Sequence, residues 1–196
     1  SFIVFLAGIS SIDFCKNHPK LSRKINVTNT IKSLNFFETI CSNILFISSA
    51  DVFQGDTPRH KTDSPQKPKN LYGAHKAMVE KHIQEKSTYI SILRLSKVIH
   101  SQFKLFEEWA DQISKGNKIY PYSNKFFSPT SMDNVLKKIN LIMLDNKTCI
   151  YHCYGDDDIS YYEYAINFLP YDKNSVISSI DPLASSENFF SSLDDD

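Results

Sequence analysis

The sequence lacks the features that define several large classes of protein. No apolar run approaches the roughly 20 residues that a helix needs to span a bilayer. The 22 basic and 22 acidic side chains give a formal net charge of zero, which argues against a nucleic-acid-binding surface driven by bulk charge. The first residues, Ser1 to Leu6, have no basic segment and no cleavage site, so they are not interpreted as a signal peptide. We therefore expect neither a membrane nor a nucleic acid among the partners.

Cysteine is also scarce, with Cys15, Cys41, Cys149 and Cys153 as the four examples. The spacing of Cys149 and Cys153 is typical neither of a redox C-x-x-C pair nor of a zinc half-site. We expect reduced thiols that are buried as small apolar side chains, and a cytoplasmic protein. The six histidines are scattered, and no further ligands accompany the acidic run 156–158, so the sequence assigns no metal site.

What the sequence does contain is an alternation of strands and helices. Apolar runs predict strands at 2–8, 44–47, 88–95 and 149–154. Helical spacing predicts helices at 26–40, 71–85, 103–114, 131–143 and 160–168. A loop is expected at 10–19, a short extended piece at 119–122 and a compact turn at 126–130, and three prolines exclude regular structure from 51–70. This order indicates an α/β fold with a parallel, doubly wound sheet.

The first strand has a consequence for the extent of the protein. The run 2–8 is continuously apolar, which predicts a strand buried on both faces, as in a parallel sheet. A buried strand needs neighbours on both sides, because an open edge is a pairing hazard. We therefore expect the chain to begin within a larger protein.

The stretch 44–76 brings together residues that are suited to proton transfer. A buried strand ends in Ser48 and Ser49, a proline-rich loop follows, and Tyr72 and Lys76 lie four residues apart on one face of the next helix. About one Tyr-x-x-x-Lys match is expected by chance among ten tyrosines, but the strand, loop and helix around this one add weight. Ligands of open α/β sheets bind just outside the carboxyl ends of the strands.

These side chains form a chemically coherent set. A nearby ammonium lowers the pKa of a phenol from its ordinary value near 10, so that the phenol can act as a general acid or base, worth about 10²–10⁴-fold in rate. A serine hydroxyl beside it can hold a carbonyl and stabilise the forming alkoxide. The set suits carbonyl reduction or alcohol oxidation, with the hydride supplied by a nicotinamide cofactor.

Several of these positions also have an ordinary structural explanation. Ser49 could cap a turn at the strand end, and Ser48 suits a structural role better than a catalytic one. The amide of Asn26 could face the site or cap the start of a helix. His75 points away from the face that carries Tyr72 and Lys76, so we expect it to be exposed. The Phe126-Phe127 pair suits a core better than stacking on a substrate.

Six segments together resemble the extended short-chain dehydrogenase/reductases, the superfamily of NAD-dependent epimerases and dehydratases, and among them most closely the dTDP-4-dehydrorhamnose reductase-type proteins. Ile47-Ser48-Ser49-Ala50-Asp51-Val52-Phe53-Gln54-Gly55 resembles the S-[ST]-x-x-V-[FY]-x-G segment, and Tyr72-Gly73-Ala74-His75-Lys76 is the Y-G-x-x-K motif. The others are Leu6-Ala7-Gly8, the run 17–27 at a P-x-L-x-x-x-x-N-V helix start, Arg94-Leu95-Ser96, and the P-T-S-x-x-D turn at 127–133.

The resemblance implies a fold, an activity and a set of site residues. Residues 1–100 would be the C-terminal half of a Rossmann dinucleotide-binding domain, and 101–196 a sugar-nucleotide-binding region interleaved with the last strands. The implied activity is NAD- or NADP-dependent reduction or epimerisation of a nucleotide-linked sugar. The implied partners are the nucleotide-sugar substrate and a second copy of the chain, in a homodimer formed through family-type helices or the missing N-terminal half. The implied catalytic residues are Ser49, Tyr72 and Lys76; the cofactor-binding residues are Ala7, Gly8, Asn26, Ser48, Tyr72, Lys76 and Ser96; and the substrate-binding residues are Asp51, Phe127, Pro129 and Thr130.

The sequence also departs from the pattern of the family. No glycine-rich G-x-x-G-x-x-G turn, which binds the cofactor pyrophosphate at a helix N-terminus, occurs in the 196 residues. Val98-Ile99-His100 stands where V-Y-G is usual. We therefore expect a fragment without measurable NAD(P)H affinity on its own. The alternative function is a catalytically inactive binding or regulatory module of the same fold.

Overall fold

A four-stranded parallel sheet forms the centre of the molecule. The structure is a computed structural model that describes residues 1–99, 104–145, 147–168, 173–180 and 189–194. Its strands are β1 (Ile3–Phe5), β2 (Ile44–Ser49), β3 (Ile90–Leu95) and β7 (Ile150–Cys153). They lie in the order β1-β2-β3-β7, with Val4 opposite Leu45, Phe46 opposite Ile92, and Arg94 opposite His152. The predicted α/β fold with a parallel sheet is confirmed.

Helices cover both faces of this sheet, and others lie beyond it. The helices of the molecule are α1 (Ile12–Asn17), α2 (Pro19–Arg23), α3 (Thr30–Glu38), α4 (Leu71–Lys86), α5 (Lys104–Ser114), α6 (Met132–Asp145) and α7 (Tyr161–Phe168). Phe46 and Ile92 pack on one face against α3 and α4, whereas Leu45 and Leu93 pack on the other against α6. Successive side chains of a strand point to opposite faces, so the apolar runs of β2 and β3 are buried on both sides.

Two small sheets extend the molecule beyond the strand ends. In the first, β4 (Lys97–Ile99) pairs in parallel with β6 (Pro129–Ser131). In the second, β5 (Lys125–Phe127) pairs with β8 (Ile159–Ser160) and β9 (Phe189–Ser191). The compact turn predicted at 126–130 is therefore wrong, because most of this segment is paired with distant strands. The predicted extended piece at 119–122 is confirmed by bridges to Val176 and Ser179.

The region before β2 differs most from the prediction. The loop expected at 10–19 contains α1, where the Ser11 hydroxyl accepts a hydrogen bond from the Phe14 amide at 3.1 Å, the usual N-cap arrangement. The helix expected at 26–40 begins earlier, at Pro19, and passes through a π-helical segment, Lys24–Asn29, before α3. Strand β1 is half-buried and pairs only with β2 in the described part of the chain. Both of its faces are packed, as expected, with Ile3 and Phe5 against one core cluster and Phe2 and Val4 against the other, but the strand is shorter than the predicted run 2–8.

Other expectations concern loops, thiols and the region boundary. Residues 53–70 form no helix and no named strand, as the prolines predicted. All four thiols are free, but Cys149 is exposed, which corrects the expectation that each is buried. No helix in the described ranges is long and apolar enough to cross a bilayer. The boundary predicted at residue 100 falls on residues outside the described ranges.

Candidate active site

Ser49 lies at the carboxyl end of β2, where a 3₁₀ turn, Ala50–Val52, begins. Its hydroxyl donates to Oδ2 of Asp51 at 3.2 Å and accepts the Asp51 amide at the same distance. Oδ1 of Asp51 accepts a hydrogen bond from the side-chain amide of Asn70 at 3.2 Å. A polar chain thus runs from the strand end to the residue that precedes α4.

Tyr72 is brought to Ser49 by the first turn of α4. The Asn70 side chain caps this helix by accepting the Gly73 amide at 2.8 Å, and Tyr72 comes close enough to Ser49 for the serine hydroxyl to influence its pKa. A Cβ at residue 73 would lie 1.9 Å from the Asp51 carbonyl oxygen, closer than any real contact. The glycine of the Y-G-x-x-K motif therefore lets the helix approach the turn closely enough for the two hydroxyls to meet.

Lys76 is buried one helical turn further along, on the same face as Tyr72. Its ammonium donates to the Ile47 carbonyl of β2 at 2.7 Å and lies 4.6 Å from the centre of the Phe46 ring. The distance from Nζ to the centre of the Tyr72 ring is 5.8 Å. The structure therefore brings together the three side chains that the sequence assigned to catalysis.

Burial dominates the electrostatics of this group. Burial, followed by the nearby Asp51 carboxylate, raises the pKa of Tyr72 well above its ordinary value, although the neighbouring Ser49 hydroxyl opposes this. The pKa of Tyr72 therefore lies above its ordinary value, and not below it as expected. Burial also lowers the pKa of Lys76 from 10.5 to about 8, against the opposing effect of Glu80. At neutral pH the phenol keeps its proton and the lysine is mostly charged.

A second polar contact fixes the chain that leaves β1. Asn26, in the π-helical segment, accepts the Ile9 amide at 2.7 Å and donates to the Ile9 carbonyl at 2.9 Å. It therefore caps no helix, and it pairs with the backbone as a neighbouring strand would. Ala7 and Gly8 precede this contact and are exposed, and a Cβ at Gly8 would lie 3.2 Å from Asn26 Oδ1. Bare backbone is thus presented at the carboxyl end of β1.

A separate aromatic cavity of about 260 Å³ lies beside α5. Lys125 Nζ lies 5.9 Å from the centre of the Tyr122 ring, and Lys97 Nζ lies 6.0 Å from that of Tyr161. The residues that line the cavity are Leu105, Trp109, Tyr120, Pro121, Tyr122, Lys125 and Tyr161. Sequence reasoning missed it, because its members come from three distant segments. The density of aromatic residues between 106 and 127 is the signal that was available.

Comparison with known proteins gives the family. The sequence profile of the family described as the RmlD substrate binding domain matches residues 1–191. The chain belongs to this family. The predicted resemblance to extended short-chain dehydrogenase/reductases of the dTDP-4-dehydrorhamnose reductase type is thereby confirmed.

Solved structures share the fold of this RmlD-type chain. A dTDP-4-dehydrorhamnose reductase from Bacillus anthracis in complex with NADP superposes with a TM-score of 0.85 at 21% identity, over 97% of this chain and 70% of that one. A dTDP-glucose 4,6-dehydratase from Streptomyces venezuelae with NAD and TYD bound gives a TM-score of 0.81 at 20% identity, over 98% of this chain and 64% of that one.

Curated relatives of the chain carry a different name. Methionine adenosyltransferase 2 subunit beta from Bos taurus is 29% identical over 121 residues, which are 59% of this chain and 36% of that protein. The Xenopus laevis protein of the same name is 23% identical over 176 residues, 83% of this chain and 52% of that protein. The chain thus spans between about a third and a half of the length of these relatives.

The remaining positions that the resemblance to the RmlD-type proteins assigned are not gathered around Tyr72. Ser48 is buried and donates to Glu80, and Ser96 donates to the Ser128 carbonyl at 2.6 Å, so both hydroxyls are committed within the protein. Phe127 is completely buried against Tyr161 and Tyr164. As placed here, none of these side chains is open to a cofactor or substrate.

Thr130 and Pro129 lie next to the same core. Thr130 is buried and its hydroxyl lies 3.9 Å from the Cys153 sulfur, so it too is closed to a ligand. Pro129 is half-buried, and its carbonyl oxygen would lie 1.9 Å from a Cβ at Gly155. A role for Pro129 in substrate binding stays a prediction.

His75, inside the Y-G-x-x-K motif, is buried rather than exposed as expected. Only 2% of its surface is accessible, and its Nδ1 has no hydrogen-bond partner in the described part of the protein. Burial, followed by the nearby Arg23, lowers the pKa of His75. Because α4 packs against α1 and the π-helical segment, the face of α4 that carries His75 is covered as well.

Proposed function

We propose that these residues are the proton-handling and substrate-binding part of an NAD(P)-dependent reductase or epimerase that acts on nucleotide-linked sugars. The observation that carries the proposal is the convergence of Ser49, Tyr72 and Lys76 at the carboxyl end of β2. The family membership and the solved relatives, whose names include such reductases and dehydratases, support the same chemistry. A cytoplasmic location belongs to the same proposal.

The geometry supports a distinct task for each side chain. Tyr72 has a raised pKa, so it holds its proton at neutral pH and is suited to donate it to a carbonyl oxygen as the oxygen gains negative charge. The Ser49 hydroxyl lies beside Tyr72, so by turning its proton away from Asp51 it can donate to the same oxygen. Lys76 places a positive charge beneath both, which stabilises the negative charge left on the phenol after proton transfer.

The nicotinamide end of a dinucleotide fits the residues present. The exposed backbone at Ala7 and Gly8 has no side chain to obstruct it at Gly8. Lys76 reaches the Ile47 carbonyl of β2, the strand that pairs with β1. Lys76 would hold the nicotinamide ribose, and the backbone at Gly8 would lie against the cofactor. When bound, the cofactor supplies the hydride. These 196 residues contain no glycine-rich turn for its pyrophosphate.

The aromatic cavity supports a nucleotide on the substrate. Its volume of about 260 Å³ lies just below the roughly 300–1,000 Å³ of sites that enclose whole drug-sized ligands, so it suits a base and ribose rather than an entire sugar nucleotide. A base can stack on an aromatic ring, which contributes about 1–3 kcal/mol. The ammonium of Lys125, at the edge of the cavity, can pair with a phosphate.

Tryptophan fluorescence tests this proposal directly. Trp109 lines the cavity and is the single tryptophan of the chain, so a base that stacks beside it should quench its emission. We expect saturable quenching by dTDP-glucose and by dTDP, with excitation at the red edge of the tryptophan band, where nucleotides do not absorb. Lys125→Met should weaken binding by at least about threefold, as expected for the loss of one phosphate contact.

Two controls define the result. Lys137→Met changes an exposed lysine of α6 outside the cavity and should leave the binding curve unchanged. Calorimetry with Trp109→Phe checks that the quenching reports binding. Absence of saturable binding to any dTDP- or UDP-linked sugar would contradict the proposal.

A second candidate is a non-catalytic binding or regulatory module. The curated relatives, which are named as a subunit of a methionine adenosyltransferase, favour it. The two candidates differ in a longer protein that carries these residues: Tyr72→Phe should abolish turnover under the first, whereas under the second there is no turnover to lose.

A further inference from the structure

A buried polar cluster lies directly behind the candidate site, and the proposed chemistry does not use it. Its centre is Glu80, which is completely buried in α4, one turn beyond Lys76 and two turns beyond Tyr72. The carboxylate accepts hydrogen bonds from Ser48 and Gln66. It also accepts from Arg94, with Nη2 to Oε2 at 2.8 Å and Nε to Oε2 at 3.1 Å. Both oxygens of Glu80 therefore have several donors.

The partners of Glu80 form a row across the sheet. Ser48 of β2 lies opposite Arg94 of β3, and Arg94 lies opposite His152 of β7, so the three side chains share one face. Arg94 Nη1 donates to Nε2 of His152 at 3.3 Å, which leaves the Nδ1 proton of His152 to donate to the Asp194 carbonyl at 2.7 Å. The row joins the next-to-last residue pairs of the three strands, one residue before the end at which Ser49 lies.

Arg94 connects the same cluster to the long loop, residues 53–70. Its Nη1 donates to the Thr62 carbonyl at 2.9 Å, and its guanidinium carbon lies 4.9 Å from the centre of the Phe53 ring. With 1% of its surface accessible, Arg94 has exchanged its water for these contacts. A buried charge is tolerated when a partner of opposite charge and further hydrogen bonds replace its hydration, and Glu80 provides the opposite charge.

We propose that Glu80 is a positioning residue for the candidate site, holding α4 in register on the ends of β2 and β3 through Ser48 and Arg94 and facing Lys76 with a negative charge. This inference rests on the proposed function, since a fixed position of Tyr72 and Lys76 matters for proton transfer. Without Glu80, the only direct polar tie from this part of α4 to the sheet in the described structure is the bond from Lys76 to the Ile47 carbonyl.

The protonation of Lys76 distinguishes this role from a merely structural one. Glu80 raises the pKa of Lys76 against the effect of burial. Removing the carboxylate while keeping its shape should therefore lower the pKa of Lys76. Loosening of the packing would have the opposite effect, because water would enter and the pKa would return toward 10.5. The two explanations thus predict shifts of opposite sign in one variant.

The experiment is an NMR titration of the Lys76 side chain in the chain labelled with ¹³C at the lysine Cε, with the signal assigned by its loss in Lys76→Met. We expect a midpoint near pH 8 in the unmodified protein. In Glu80→Gln the midpoint should fall by about half a pH unit or more, roughly a threefold larger acid dissociation constant. Glu80→Asp keeps the charge and should return the midpoint toward its original value.

Two further variants keep the test decisive. Glu85→Gln, in the exposed i,i+4 pair with Lys81 on the same helix, should not move the midpoint. If Glu80→Gln fails to fold because Arg94 is left unpaired, Glu80→Gln combined with Arg94→Met removes both charges, which is tolerated better than breaking the pair, and its midpoint should also fall. An unchanged or raised midpoint in the folded variants would overturn the inference. The nucleotide titration does not depend on Glu80, so failure of the proposed function would be seen separately.

Discussion

At the level of a single residue, burial of Lys76 disfavours the positive charge that the proposed site uses. Its ammonium is buried against Phe46 and donates to the Ile47 carbonyl, and its pKa falls from 10.5 to about 8. Between these two pH values the unfolded chain binds the proton and the folded protein does not. The free energy of unfolding therefore rises as the pH increases through this window, and the cost of the buried charge is fully present below pH 8.

Comparison of the protein with Lys76→Met measures this cost. The difference in unfolding free energy between the two should change in favour of the lysine by up to roughly 3 kcal/mol between pH 8 and pH 10.5, at about 1.4 kcal/mol per pH unit. Urea unfolding at a series of pH values provides the measurement. Lys81→Met, at a lysine whose side chain is 74% exposed, should give a flat difference. A flat difference for Lys76→Met as well would mean that its pKa is not lowered.

Sequence reasoning reached the residues of the site that follow a local rule. A serine, Tyr72 and Lys76 were predicted together because of a strand end and a four-residue helical spacing, and the family resemblance assigned the serine as Ser49. The same spacing could have found Glu80, which lies four residues after Lys76. Arg94 carried a second signal, because a charge inside an apolar strand needs a buried partner. The predicted exposure of His75 was wrong because the prediction considered one face of α4, whereas the packing of α1 buries another.

At the level of the element, Gly73 decides how closely α4 approaches the turn after β2. A methyl group there would lie 1.9 Å from the Asp51 carbonyl oxygen, and neither piece of backbone can yield easily. Gly73→Ala should therefore destabilise the protein by about 1–3 kcal/mol, the usual cost of overpacking, although alanine favours a helix more than glycine does. Chemical unfolding measures the loss.

A matched alanine on the same helix separates the clash from helix propensity. Lys81→Ala, on the exposed side of α4, should change the free energy of unfolding by less than about 0.5 kcal/mol. If Gly73→Ala were neutral or stabilising, the close contact with Asp51 would be contradicted. The inference that Gly73 allows Ser49 and Tyr72 to come together would then be wrong as well.

The elements themselves were predicted unevenly, for physical reasons. The strands β2 and β3 and the helix α4 are confirmed, since their apolar periods are long and their ends have clear signals. The first helix was missed although Ser11 is a good N-cap residue, because six residues give too short a period. The π-helical segment was not foreseen, since the contact between Asn26 and Ile9 depends on residues 17 positions apart.

At the level of the whole molecule, the segment 189–194 joins parts that are far apart in sequence. Strand β9 pairs with β5, and the Phe190 amide donates to the Gly55 carbonyl at 2.9 Å. The His60 amide donates to the Ser192 carbonyl at 3.3 Å. No local pattern predicts such pairings, because they are set by the assembled sheet rather than by neighbouring residues. The loop was correctly predicted to be irregular over 53–70, whereas residues 51 and 52 belong to a 3₁₀ turn, and what holds the loop in place was not predicted.

Leu193 is the apolar anchor of this segment, and its loss should release the loop. The side chain is completely buried against Ala50, Val52 and Phe53, directly after Ser49. Leu193→Ala should cost about 2–5 kcal/mol, the range for a large-to-small change in a core. Because a segment held by few contacts opens below the global unfolding free energy, trypsin should first cut the variant after Arg59 or Lys61, under conditions that leave the unmodified protein intact. Mass spectrometry of the early fragments identifies the sites.

Leu144→Ala, at a leucine that is 82% exposed, should resist trypsin as the unmodified protein does. If cleavage of Leu193→Ala instead began at lysines throughout the chain, the segment would stabilise the whole domain rather than hold the loop beside Ser49.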